Sequence, residues 1–362
     1  MRVSDCGALT AFGDETASLG AMLDGRTALA LQPVLGSAGG GSVPLALCAG
    51  HGYDETIPPS WFRLLAQLAR RIPGDGWGTP RRPVVFTSSN FGVGSLHAFQ
   101  IGGGIGHLDY GTPHLCVDQL ATLLGWGPCR FTFSHACVSA HLGLLHAERL
   151  LAANLADAVL VFSFDFISPF VAGGFHALKI LNPGFPSPYH AGETGSIGLG
   201  DGAAFAVFTR DEGDFRISNQ TLHNEMQHFT ANQPDGGGFT ACLAPISPRL
   251  EGRRLWLKGH GTGTLEAGRL EAEVLAAHFP NVPLVSWKGA LGHTLGSCGL
   301  VEMVLAIAAM REGRSPGTVG GHDPCFSPQV ALAPFNTAEF DAVLCTSNAF
   351  GGAHAAFLVS HD

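Results

Sequence analysis

The sequence predicts an α/β protein. Short runs of β-branched and aromatic residues alternate with longer stretches of helical apolar spacing along the whole chain. Glycine, at 50 of 362 residues, supplies the tight turns that such alternation needs. In order, the expected strands are Val84–Thr87, Ala158–Ser163 and Ala204–Phe208, then Leu255–Lys258, Leu284–Trp287, Val343–Thr346 and Ala356–Val359. Between them, helical patterns run over Ser60–Arg71, over the alanine-rich stretch after Cys137, and after Thr264 with Leu270, Val274 and Ala277 on one face. Gly296–Ala309 is apolar or small nearly all round, the signature of a buried helix. The polar patch Arg210–Asp214 is the expected seam between two halves. Gly36–Ser42 is a glycine-rich loop without the Lys-Ser/Thr of a phosphate loop, hence a connector.

Composition narrows the function classes. With 46% hydrophobic and 14% charged residues, the chain can bury a large core and is too apolar to be disordered. The longest apolar candidate for a membrane span, Leu155–Phe175, is broken by Asp157, Asp165 and Pro169. Met1–Cys6 lacks the apolar core of a secretory signal, so the expected location is the cytoplasm. Nine cysteines without a Cys-x-x-Cys pair support neither a disulfide framework nor a zinc ribbon. The 17 histidines form no recognised metal motif, so no metal is expected. A net charge of −9 disfavours nucleic acid as a partner.

Four blocks carry reactive groups, each just after a strand-like run. Cys137 follows Phe131–Phe133 and precedes a long helix, where unpaired N–H groups and the macrodipole would favour thiolate. His260 follows Leu255–Lys258 and is flanked by glycines, with Thr262 and Thr264 as hydroxyl donors. Lys288 follows the next strand, with His293 five residues on. Glu302, inside the apolar helix, is costly unless paired, and Lys288 is its natural partner. Phe350 precedes Gly351 and Gly352, a bulky ring on a turn that can swing. Functional groups at the carboxyl ends of strands are where open α/β sheets bind ligands.

Together the blocks resemble the β-ketoacyl synthases of the thiolase superfamily. Ala136-Cys137 is similar to the nucleophile motif and His260–Thr264 to the first histidine motif. Lys288 with His293 looks like the lysine and second-histidine motif, and Phe350–Gly352 like the gating loop. Weaker likenesses run over Val3–Arg26, Ala158–Phe175 and Gly200–Ala203. A Cys-His-His set resembles the elongating synthases, whereas CoA-primed relatives use asparagine at the second histidine. Departures are Gly268 where the family has aspartate, Val138 after the nucleophile, and Glu193–Ser196 in place of an Arg-Asp-Gly-Phe stretch.

The resemblance implies a thiolase-like fold, two fused similar α/β halves in a five-layered α-β-α-β-α core, here 1–212 and 213–362. It implies decarboxylative Claisen condensation of an acyl group on Cys137 with malonyl-acyl carrier protein, in fatty acid or polyketide synthesis, including aryl-polyene pathways. His260 and His293 would stabilise the enolate, Lys288 with Glu302 would orient His293, and Phe350 would gate the pocket. No bound cofactor is implied, the phosphopantetheine arm of the carrier serving as substrate carrier. The implied partners are an acyl carrier protein and a second subunit, as homodimer or heterodimer. Arg63, Arg70 and Arg71 are the carrier-docking candidates, with Arg81, Arg82, Arg253 and Arg254 in reserve. The alternative is a chain-length-factor-like partner subunit, although such subunits usually lack the nucleophile that Cys137 provides.

Overall fold

The computed structural model describes residues 1–362 except 35–40, 54–56, 193–194, 227, 229–230 and 362. Much of the expected Gly36–Ser42 loop and the start of Glu193–Ser196 therefore lie outside the described residues. The first part of the chain contributes β1 (Arg2–Thr10), α1 (Glu15–Leu23), α2 (Ser60–Ala69), β2 (Val84–Thr87) and α3 (Pro113–Leu124). It continues with β3 (Arg130–Phe133), α4 (Ser139–Ala152), β4 (Ala158–Asp165), α5 (Pro169–Ala177) and β5 (Gly202–Thr209). The second contributes β6 (Phe215–Asn224), α6 (Gly237–Leu243), β7 (Leu255–Lys258), α7 (Leu265–His278) and β8 (Leu284–Val285). Last come α8 (Cys298–Glu312), β9 (Ala342–Ala349) and β10 (Ala353–His361).

Strand pairing repeats. The first five strands lie in the order β1-β5-β4-β2-β3, the first two pairings antiparallel and the last two parallel. The second five lie as β6-β10-β9-β7-β8 with the same sequence of pairings. The two sets meet through β1 and β6, antiparallel at Arg2↔Arg216 and Val3↔Phe215. The expected seam, Arg210–Asp214, is the connection between β5 and β6.

Side-chain alternation distributes the strands over distinct cores. Val85, Val161 and Ala206 from one set of strands, and Trp256, Val343 and Phe357 from the other, share a core with Leu144 of α4 and Leu300 and Val304 of α8. Both α4 and α8 pack against strands of both sets, so they form the middle layer. The opposite strand faces bury Phe86, Leu160 and Phe205 beneath α2 and α3, and Leu257, Leu344 and Leu358 beneath α6 and α7. The result is five layers, α-β-α-β-α. Strands covered on both faces read as continuous apolar runs, which is why the sequence displayed them.

Two expectations need correction. Leu284–Trp287 is a strand only to Val285, because Trp287 and Lys288 turn into a short helical segment, Lys288–Leu291. On α7, the buried face is Gly268, Glu271, Ala272, Val274 and Leu275, and Ala277 is exposed. The spacing Gly268, Glu271, Ala272, Leu275 is the true i, i+3, i+4, i+7 stripe, disguised by a glycine and a carboxylate. Among the described residues, no helix is long and apolar enough to cross a membrane.

Candidate active site

Cys137 lies between β3 and α4. The chain turns through Ala136 at φ 44°, a conformation uncommon outside glycine. Ser139 Oγ fastens the turn, accepting from His135 N at 2.7 Å and donating to Ala136 O at 2.7 Å. This leaves the Cys137 sulfur just ahead of the first turn of α4, 3.0 Å from His293 Nε2. The helix N-terminus does not make it a resting thiolate. Burial pushes the thiol well above its usual range, against the smaller pulls of Lys288 and the backbone N–H of Phe350.

His260 is carried by the loop after β7. Glu271 on α7 fixes that loop, accepting from His260 N at 2.6 Å, Gly261 N at 2.7 Å and Tyr189 Oη at 3.0 Å. Thr346 Oγ1 adds a fourth donor at 3.3 Å. Gly261 is required here, since a Cβ would lie 2.5 Å from Ser286 Cβ. His293 is fixed through its backbone: its N–H donates to Gly198 O at 2.7 Å, and its carbonyl accepts from Gly200 N at 3.0 Å. That close approach needs Gly292, at φ 71°, whose Cβ would sit 2.5 Å from the Leu199 carbonyl carbon.

The two rings stand edge to face, centroids 4.9 Å apart at 89°. One nitrogen of each and the Cys137 sulfur lie within 4.8 Å of one another. By donor type, such a trio could also hold zinc. Burial, with the ammonium of Lys288 next, drives both imidazoles well below their usual range, so both are neutral. A thiol and two neutral imidazoles at one point can exchange a proton with the sulfur and donate hydrogen bonds to a carbonyl oxygen.

Residues 254–322 match the family model described as β-ketoacyl synthase, C-terminal domain. The chain is 29% identical over 340 residues to 3-oxoacyl-[acyl-carrier-protein] synthase 2 of Coxiella burnetii, covering 86% of this chain and 78% of that one. A β-ketoacyl synthase crystal structure from Burkholderia phymatum STM815 superimposes with a TM-score of 0.83 at 19% identity, covering 100% and 99% of the two chains. A ketosynthase (ApeO) in complex with its chain length factor (ApeC) from Xenorhabdus doucetiae gives a TM-score of 0.79 at 21% identity, covering 100% and 98%. In sequence and fold the chain is similar to the β-ketoacyl synthases. It is a condensing enzyme of the acyltransferase type.

Lys288 Nζ donates to Glu302 Oε1 at 2.7 Å. Sequence reasoning missed that Lys258 Nζ holds the other oxygen, Oε2. It also gave no weight to Tyr189 or to Cys298, whose thiol donates to the Cys137 carbonyl at 3.4 Å. Thr262 and Thr264, Oγ1 atoms 3.4 Å apart, line a cavity of about 460 Å³ that reaches Cys137, His260 and His293. Phe350 also lines it, its ring stacked on Phe175 of α5 at 5.9 Å. Gly351 and Gly352 follow at φ 85° and 68°.

The docking candidates sit elsewhere. Arg63 and Arg70 are exposed on and just after α2, in an outer layer, and carry no ion pair among the described residues. Arg71 is engaged, with Nη2 2.5 Å from Glu15 Oε1. Arg81 pairs with Asp157, Arg254 with Asp341 at 2.5 Å, and Arg82 stacks over Trp77 at 4.2 Å.

Proposed function

We propose that this chain carries out a decarboxylative Claisen condensation, joining an acyl group on Cys137 to a unit delivered as malonyl-acyl carrier protein. The product is a 3-oxoacyl thioester on the carrier, made in fatty acid or polyketide synthesis. The observation that carries the reading is the 3.0 Å approach of Cys137 Sγ to His293 Nε2, with His260 edge-on beside it.

In the first stage the thiol attacks an acyl thioester on a phosphopantetheine arm. Its proton passes to His293 as the sulfur–carbon bond forms, then to the departing pantetheine thiolate. A malonyl thioester enters next. Its carbon–carboxylate bond breaks, carbon dioxide leaves, and the electron pair becomes an enolate whose oxygen takes hydrogen bonds from neutral His260 and His293. Preorganised donors of this kind are worth roughly 3–4 kcal/mol each. The carbanion attacks the acyl carbonyl, the backbone N–H groups of Cys137 and Phe350 hold the oxyanion, and the sulfur–carbon bond breaks, releasing Cys137 as a thiolate that takes up a solvent proton to restore the thiol. Support for the second donor is that the Phe350 backbone N–H favours charge on the Cys137 sulfur, against the larger effect of burial. Lys288, through Glu302, steadies the site, Thr262 and Thr264 contact the pantetheine arm, and Phe350 with its two glycines gates the acyl chain.

The arm of the carrier is the only cofactor-like group this scheme uses. Carrier docking falls to Arg63 and Arg70, with Arg71 held back by its pairing to Glu15. The partner subunit is a second copy or another ketosynthase-like chain, and the working location is the cytoplasm. Division at 212/213 is supported by the repeated strand order on either side. The test is carbon dioxide release from malonyl-carrier: it should proceed with wild-type protein and fall at least a hundredfold in His260→Ala. Release that is unaffected by His260→Ala would remove this reading.

A further inference from the structure

Lys258 is buried completely, at 0% exposure, at the end of β7 and two residues before His260. Its parity on the strand matches Trp256, whose ring packs in the middle core, while Leu255 and Leu257 point to the outer one. The ammonium is thus delivered to the inner side of the sheet, where Glu302 of α8 receives it. Glu302 is consequently spanned by two lysines, one on each oxygen. A single lysine would suffice to neutralise that carboxylate. An added buried ammonium is costly, and an apolar side chain would hold the same space at less expense. What the second cation provides is field.

The groups facing it are Glu302 on α8, Lys288 in the turn after β8, Cys345 on β9, and His141 on α4, which feels its charge. Glu271, the other buried carboxylate nearby, is already engaged by four donors from the His260 loop, Tyr189 and Thr346. Both Lys258 and Lys288 act on His260 and His293, and in the same direction.

We propose that Lys258 is a positioning residue of the condensation: it clamps the second oxygen of Glu302 and leaves the Lys258–Glu302–Lys288 unit with one excess positive charge behind the two histidines. This rests on the reaction assigned above. The excess charge favours the enolate as it forms, and clamping both oxygens fixes the direction in which Lys288 points. Neither effect is needed when Cys137 takes up the first acyl group from its carrier thioester.

Lys258→Met removes the charge and leaves Glu302 paired with Lys288, so no carboxylate is orphaned. Carbon dioxide release from malonyl-carrier should fall about tenfold in kcat, with KM for malonyl-carrier and the rate of Cys137 acylation within about twofold of wild type. Lys258→Gln, equally uncharged but able to donate to Glu302, should show the same loss, and it serves if the methionine variant does not fold. Wild-type decarboxylation in either folded variant would overturn the proposal, as would a loss expressed only in KM. Wild-type protein that acylates Cys137 but releases no carbon dioxide would instead overturn the reaction on which the proposal stands.

Discussion

At the scale of single residues, the reactive groups were legible because each closes or follows an apolar strand. Cys137, His260 and Lys288 stand within a few residues of such ends and His293 follows one short helical segment later; Cys137, His260 and His293 line one cavity, and Lys288 lies buried close by. His293→Ala should reduce carbon dioxide release by roughly 10²–10³-fold, measured in a coupled malonyl-carrier assay, since it removes one preorganised donor. The same variant should also slow Cys137 acylation, because His293 is the base nearest the sulfur; His260→Ala should spare that step. Lys258 was not legible. A lysine ending a strand reads as solvent-facing until the second oxygen of Glu302 is seen to need it. The thiolate expected at Cys137 failed for a related reason. The helix start can be read from sequence, but the depth of this one sulfur cannot, and burial dominates it.

Among elements, the loop from β7 to α7 depends on one buried carboxylate. Glu271→Ala leaves four donors without an acceptor and should destabilise the fold by about 3 kcal/mol in urea unfolding; Glu271→Gln should cost less. Sequence spacing misplaced the buried face of α7 because Leu270 lines the cavity while Gly268 and Glu271 face inward. At Gly268, where the resemblance expects aspartate, a Cβ would meet Tyr189 N at 3.8 Å, an ordinary contact. On α2, replacing Arg63 and Arg70 together by glutamate should raise KM for the carrier while leaving acylation by a small thioester unchanged. Arg71→Glu should instead cost modest stability, about 0.5–1 kcal/mol, by setting two acids against each other at Glu15.

Over the whole molecule, the repeated strand order was invisible in the sequence. The two halves share pairing directions rather than residues, and hydrogen-bonded order leaves no sequence period to detect. Their shared middle layer buries histidines in neutral form, and this has a pH consequence. His141 is lowered by burial to about 3, and His260 and His293 fall well below the usual 6.5. The unfolded chain therefore binds more protons than the folded one below pH 6.5, and stability must fall as pH drops through that window. Each such histidine contributes a slope of about 1.4 kcal/mol per pH unit. Asp165, raised by burial to about 6, acts oppositely: its folded form holds the extra proton between pH 3.8 and 6, offsetting one histidine there. Urea midpoints should thus decline from pH 6.5 to 5, with Asp165 cancelling about one histidine's share of the slope below pH 6. A flat profile would mean that these rings are solvated.

The condensation depends above all on the sulfur of Cys137 as the atom that carries the growing chain. Mass spectrometry of the protein after exposure to an acyl-carrier thioester reads this directly. The expected result is an acyl adduct on the peptide containing Cys137, discharged as 3-oxoacyl-carrier when malonyl-carrier is added. An unmodified Cys137, with the label only on a co-purified second subunit, would contradict it.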